Sequence, residues 1–366
     1  MLITEVLDEV PDPRGYNAVH DLTDVLFVAL AAVLCGAVHC TEMALFARTR
    51  LELLRRFVPL RNGAPSHDTF TRVLGALDPE AFGAAFRRFM AAFGAQARAD
   101  TAGHVAVDGK SLRRAYDKGR AHMPPLVVTV FDCDTFMSLS QRVASAGGEA
   151  QAAIEALNLL SLKGCTVTAD ALHCHRRMTE TVRQAGGHYV LTIKGNQSKL
   201  ARQAAAALDM AADKPKTAIA ETEETAHGRH ERRRAFVIAF TQPPGPKALT
   251  GLLALARVEA WRTENGKTTH RVRDYALSRR MAPAEVLRTV RRHWAIENDL
   301  HWQLDVLMAE DLTRNRKNNA PANLAALRRL SLNILRSDPE PIPLSHKRLK
   351  ARWANDDLLR LLTHMR

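Results

Sequence analysis

The alternation of apolar and polar positions divides the chain into segments of different texture. Residues 1–98 read as helical. Val25 to Val38, VLFVALAAVLCGAV, is an unbroken apolar run that predicts a buried helix over roughly 22–37. At fourteen residues it is shorter than the roughly 20 a bilayer span needs. In PSHDTFTRVLGAL, Ser66 is placed to cap a helix. In DPEAFGAAFRRFMAAFG, Asp78 is the expected N-cap, Pro79 the first helical residue and Gly94 the stop. Phe82, Phe86, Phe89, Met90 and Phe93 then share one face, which predicts core packing.

From about residue 100 the period changes. VAVD (105–108), LVVTVF (126–131) and MSLSQRVA (137–144) are β-branched runs of strand length, expected to form an antiparallel meander. An amphipathic helix (GGEAQAAIEALNLLSL), a strand (CTVTAD, 165–170), a helix over 175–186, a strand (HYVLTI, 188–193) and another helix follow. The order βββαβαβα predicts an α+β fold, a mixed sheet with helices packed on it. Residues 203–270 are charged and β-rich, ending in a hairpin turned by Asn265-Gly266. A helical segment spans roughly 283–335, and a Pro-containing basic tail closes the chain.

Charge narrows the partner. Lys and Arg number 52 against 39 Asp and Glu, a net of +13, which suits a polyanion because neutralised phosphates release counterions. Five cysteines with no CxxC fit a reducing compartment better than a disulfide framework. The acidic start MLITEVLDEVPDPR does not read as a signal peptide, so a cytoplasmic protein is expected, with no membrane partner.

The chemistry centres on strand ends. HVAVDGKSLRR ends an apolar strand in Asp108-Gly109-Lys110-Ser111. A phosphate-binding loop would need a glycine at position 104, which is His104, so no nucleotide cofactor is expected. Asp108 and Asp170 each end a strand, and neighbouring strand ends in such a sheet lie close together. Two carboxylates there could share hard cations of the Mg²⁺ type. A third acid is expected from RRHWAIENDLHWQLDVLMAED, where His293, Glu297 and His301 recur at every fourth position, with Trp294 and Trp302 beside them and Asp305 continuing the face. HExxH is absent, which argues against zinc. Asp132 and Asp134 in FDCD are expected to be solvated turn acids, and His173-Cys174-His175 to be loop or helix-start residues.

Several stretches, in order, resemble DDE-type transposases of bacterial insertion sequences, in the H-repeat-associated or ISAs-type group. They are PSHDTFTRVLGALDPEAF, VAVDGKSLR, LKGCTVTADALHCHRR, YVLTIKGNQ, HGRHERRR, HWAIENDLHWQLDVLMAED and RNRKNNAPANLAALRRLSLNILR. The resemblance implies an RNase H-like catalytic core with the triad Asp108, Asp170 and Glu297. Two Mg²⁺ ions, or Mn²⁺, would be held by those carboxylates. It implies cleavage of double-stranded DNA at the element's inverted repeats and transfer of the 3′-OH into target DNA, by a homo-oligomer on paired ends. The alternatives are a catalytically silent DNA-binding relic and a nuclease without strand transfer. Expected domains are 1–98 (helical, DNA-end binding), 99–202 (first part of the core), 203–270 (β-rich insertion), 271–336 (helical second part) and 337–366 (basic tail). Lys110, Lys194, Arg229, Arg233, His293, His301, Arg314 and Arg316 are candidate DNA contacts. Asn298 and Trp294 are candidate supports of Glu297. The sequence departs from the group's pattern at SAGGEA, where only Glu149 of a Lys-Ser-Asn-Glu-Ile run remains, at His293 in place of Arg, and at Leu304 in place of a basic residue.

Overall fold

The computed structural model describes residues 3–94, 103–115, 124–144, 148–212, 214, 218–226, 228–243 and 245–363. The N-terminal part is helical: α1 (Ile3–Asp8), α2 (Leu22–Leu34), α3 (Cys40–Thr49), α4 (Leu51–Leu54), α5 (His67–Ala76) and α6 (Pro79–Gly94). Helix α2 is the apolar run, buried at all but one of its positions. Each fully buried Leu, Val or Phe there contributes roughly 1.5–3 kcal/mol. Ser66 caps α5 by accepting from the Thr69 amide at 3.2 Å. Phe82, Phe86, Phe89 and Met90 of α6 are buried, as the stripe requires; the side chain of Phe93 lies outside the described residues.

Next come β1 (His104–Ser111), β2 (Leu126–Asp132), β3 (Met137–Val143), α7 (Gly148–Leu157), β4 (Thr166–Ala169), α8 (Arg176–Gln184), β5 (His188–Ile193) and α9 (Ser198–Ala212). Four long strands follow: β6 (Ile219–Ala226), β7 (Arg229–Ala239), β8 (Ala254–Glu264) and β9 (Lys267–Leu277). All nine strands form one sheet in the order β3-β2-β1-β4-β5-β9-β8-β7-β6. β1 to β3 form an antiparallel meander, while β4 and β5 run parallel to β1. This mixed sheet with helices on both faces is the expected α+β arrangement. The Asn265-Gly266 turn between β8 and β9 has φ of +50° and +73°, the left-handed pair a tight two-residue hairpin demands.

Alternation along β1 assigns the two faces. Val105 and Val107 pack with α7 and α8, whereas Ala106 joins the core of the helical half. That second core spans α1 to α6 and reaches Leu362, so the sheet and the helical half meet over a shared interior.

The segment expected as continuous helix over 283–335 is broken. It comprises α10 (Pro283–His293), a π-helical turn at Ile296–His301, α11 (Trp302–Val306), a short 3₁₀ turn at Glu310–Leu312 and α12 (Ala320–Ser337). Between α11 and the 3₁₀ turn, Ala309 takes φ of +52°, and Glu310 after it is buried. There Glu310 meets Arg329 at 3.0 Å, both side chains fully buried. Helix α12 is the central strut: Asn323 donates to the carbonyls of Leu74 and Leu77, and Asn333 to that of Ser138 on β3. The expected tail is instead two helices, α13 (Leu344–Trp353) and α14 (Asn355–Thr363), whose Ala351, Leu358, Leu361 and Leu362 complete the helical core.

Asp132 and Asp134 do lie at the β2–β3 turn but are not solvated turn acids. Asp132 is 2% exposed and accepts from the Asp134 and Thr135 amides. Asp134 accepts from the His104 amide and pairs with Arg292.

Candidate active site

The parallel ladder between β1 and β4 ends at Val107 opposite Ala169. Asp108 and Asp170 are the next residue on each strand, so their backbones stand side by side where the two strands part. A ligand crevice opens at such carboxyl ends. Asp170 starts a 3₁₀ turn, Ala171–His173, but its side chain caps nothing and is 65% exposed. Asp108 is 20% exposed. By strand alternation it faces the side where Ile296 and Leu300 pack.

The π-helical turn crosses this crevice. His293, the last residue of α10, hydrogen-bonds through Nδ1 with Thr168 Oγ1 at 3.0 Å, and its Nε2 lies 3.8 Å from Asp170. His301, eight residues on, lies with Nδ1 3.6 Å from Asp108. The two imidazoles therefore sit over β4 and β1 respectively. Glu297 is midway between them along the segment and exposed. The wider π turn is a common way to re-aim a side chain at a functional site.

Burial keeps these histidines neutral: His293 titrates below its usual range, and His301 is pushed down to about 3. Neither supplies a positive charge. Asp108 is pushed up to about 7, first by burial, then by the negative charges of Glu297, Glu149 and Asp170; the Gly109 amide opposes this. Among the described residues no three carboxylate, histidine or cysteine side chains close tightly enough to form a ready-made metal shell. What fits a divalent cation is the donor chemistry: hard carboxylate oxygens whose charges act on Asp108, with no Lys or Arg within ion-pair distance of Asp108 or Asp170 among the described residues.

Lys110 does not take the place expected for a phosphate contact. Its ammonium is buried and pairs with Asp305 at 2.7 Å and Asp311 at 3.4 Å. The pairing ties β1 to the chain around α11. Asp305 thus leaves the face expected to continue from Glu297.

A transposase DDE domain model matches residues 100–334, and a model described as DDE_Tnp_1-associated matches residues 4–90. The H repeat-associated protein YhhI of Escherichia coli (strain K12) is 30% identical over 347 residues, 92% of this chain and 90% of its own. The chain belongs to the H-repeat-associated DDE transposase family. Another relative, from the region 3′ of dhlA in Xanthobacter autotrophicus, is 39% identical over 71% of this chain and 88% of its own. A protein named inactive transposase YbfQ, also from Escherichia coli (strain K12), is 34% identical over 73 residues, 20% of this chain and 87% of its own. A piggyBac transposase in a synaptic complex with hairpin DNA aligns with 100% of this chain and 76% of that one, at 11% identity and a TM-score of 0.42.

Within this family member a basic groove of about 980 Å³ runs between β7–β9 and α10. It holds the expected Arg229 and Arg233, but each is engaged by glutamates, Arg229 by Glu264 and Arg233 by Glu231 and Glu224. Arg271, Arg273 and Arg288 also line it, and among the described residues they have no carboxylate partner. Arg273 lies over the Trp294 ring at 5.7 Å. Arg273 and Trp294 also line an adjoining cavity of about 250 Å³ that contains Asp170, Lys194 and His293. The groove thus borders the cavity of Asp170 through Arg273 and Trp294, with Asn298 also on its wall. Arg314 and Arg316 are exposed but do not line it; Arg316 donates to the Arg114 carbonyl.

Sequence reasoning missed Thr168 and the arginines of β9, Arg271 and Arg273. Thr168 bridges His104 and His293, at 2.8 and 3.0 Å. Its signal was faint, a hydroxyl two residues before Asp170 on an apolar strand. Leu304, where related groups carry a basic residue, is fully buried in the helical core, where a lysine would need a partner.

Proposed function

We propose that this chain is a catalytically active, metal-dependent transposase. It cuts double-stranded DNA at the ends of an insertion sequence and joins the freed 3′-OH to target DNA. The observation that supports this reading is the crossing of the 293–301 segment over the ends of β1 and β4, His293 beside Asp170 and His301 beside Asp108, with Glu297 midway along it and its charge acting on Asp108. In this reading Asp108, Asp170 and Glu297 hold two divalent cations, Mg²⁺ or Mn²⁺. When bound, these would polarise the scissile phosphate and lower the cost of ionising the attacking oxygen.

The chain's own residues do the rest. His293 anchors α10 to Thr168 and so fixes the height of Glu297 above β4. The Lys110 ion pairs hold the segment after His301 against β1. Lys194, Arg271 and Arg273 bind phosphates on the way to Asp170, and Trp294 offers a ring face beside them.

The test is a cleavage and joining assay. It uses the full chain, DNA carrying the element's flanking inverted repeats, a labelled target duplex and Mg²⁺. Asp170→Asn is expected to lose cleavage by roughly 10³-fold or more while retaining DNA binding. Equal activity of variant and wild type would remove Asp170 from the site. Binding without cutting by the wild type would favour a silent DNA-binding member of the family, and cutting without joining a nuclease.

A further inference from the structure

Glu149 stands in the first turn of α7, after Gly148 at φ of +71°. A glutamate in that position ordinarily needs no explanation beyond the helix dipole. Here it is aimed at β1. A Cβ at Gly109 would come within 2.8 Å of both the Glu149 carboxyl carbon and Oε1, so the carboxylate rests where a side chain would otherwise be. It approaches from the α7 face, opposite to the segment that carries Glu297, and at the point where the β1–β4 ladder has already ended.

A second group points the same way. His173, three residues past Asp170, has no exposed surface, and its Nε2 lies 3.3 Å from Glu149 Oε1. The contact is close but misaligned, and neither ring nitrogen completes a hydrogen bond. Glu149 is 23% exposed and pairs with no Lys or Arg among the described residues. It is thus a carboxylate held beside Asp108 with no Lys or Arg partner among the described residues, and its charge is among those acting on Asp108.

We propose that Glu149 is a further oxygen ligand, direct or through one water, of the divalent cation that Asp108 binds. The inference rests on the metal-dependent reading of the site. Mg²⁺ and Mn²⁺ favour several hard oxygen donors, and a carboxylate from the second face of the sheet extends the shell that Asp108, Asp170 and Glu297 begin. Gly109 is then required beside Asp108 because any side chain would displace the Glu149 carboxylate.

The experiment is a titration of the full chain with Mn²⁺, followed by calorimetry and by the loss of free-ion electron paramagnetic resonance signal. Glu149→Gln keeps the shape and removes the charge. It is expected to weaken Mn²⁺ binding by about 10–100-fold without lowering the melting temperature. Gly109→Ala, whose backbone is not left-handed, pushes only the flexible end of Glu149 and is expected to weaken binding in the same direction. It carries the test if Glu149→Gln melts early. Asp108→Asn serves as the control. Wild-type affinity and stoichiometry in Glu149→Gln, with binding lost in Asp108→Asn, overturns the role of Glu149 and leaves the transposase reading standing. Full binding in Asp108→Asn as well overturns the metal reading of the site and this inference with it.

Discussion

The two halves of the nine-stranded sheet are stabilised by different physics. In β1, β2, β4 and β5 the strands are largely apolar and buried, with β3 half-buried at the edge; Val105, Val107, Val128, Val130 and Val167 have no exposed surface. In β6 and the far ends of β7 to β9 the strands are largely exposed, and charged side chains face each other across the ladder. Arg232 pairs with Glu221, Arg229 and Arg262 share Glu264, and His230 lies beside Glu223. Burial holds the first half rigid, which suits carboxylates that must keep their spacing. The second half presents arginines to a groove. Its ion pairs can exchange partners with a polyanion at little cost, because exposed pairs contribute only about 0–1 kcal/mol.

The sharpest way to break the buried half is to remove one member of its fully buried pair. Arg329 donates to Glu310 and, through Nε, to Thr129 on β2. Arg329→Met leaves the Glu310 charge stranded in the interior. Chemical denaturation should show a loss of about 3–5 kcal/mol. The double variant Arg329→Met/Glu310→Gln should recover part of it, because the stranded charge is gone.

A subtler test sets the site against the fold. Asp108 titrates near 7 in the folded chain and near 3.8 when unfolded. Between those values the folded state keeps a proton that the unfolded chain has released. This group therefore contributes most stability below about 3.8, and the contribution is lost as pH rises through 7. Asp108→Asn should match wild type at pH 4 and exceed it by roughly 1–3 kcal/mol at pH 8 without divalent cations. Mn²⁺ should raise the melting temperature of wild type at pH 8 and that of the variant much less.

The same contrast decides what the sequence made legible. β-Branched runs and the α2 run announced the buried half, because burial on both faces leaves an apolar signature that no other structure needs. That Asp108 and Asp170 stand at neighbouring strand ends was legible because both end such runs, and the segment that crosses them was marked by Glu297 at four-residue spacing from His293 and His301. The approach of Glu149 to β1 was not legible, since an acid in a first helical turn is ordinary and the residue it lies against is a glycine. Lys110 was misread because its partners, Asp305 and Asp311, lie almost two hundred residues away. The break at Ala309 was invisible because alanine is a good helix former, and the Glu310–Arg329 pair that the turn accompanies joins residues far apart in sequence. The β9 arginines, without a carboxylate partner among the described residues, were hidden among paired ones; charge counts do not say which cation has an acid beside it.

Those arginines give the next test. Arg271→Ala and Arg273→Ala should each weaken DNA binding across all sequences and reduce the salt slope by about 1. Arg229→Ala, already matched by Glu264, should change both less. If all three behave alike, the groove does not distinguish paired from free cations, and the proposed path toward Asp170 loses its support.

The smallest effect expected is at the edge of the exposed half. Arg232 donates to Glu221 across the β6–β7 ladder and lies over the Trp261 ring at 5.5 Å, itself stacked on His270 at 4.7 Å. Arg232→Ala should cost about 0.2–1 kcal/mol, with the Glu221 part vanishing at high salt and any ring part persisting. A double-mutant cycle with Glu221→Ala, run at low and high ionic strength, separates the two. A coupling of several kcal/mol that ignores salt would mean that these strands are held as rigidly as β1–β5, and the division of the sheet into a fixed half and a yielding half would fail.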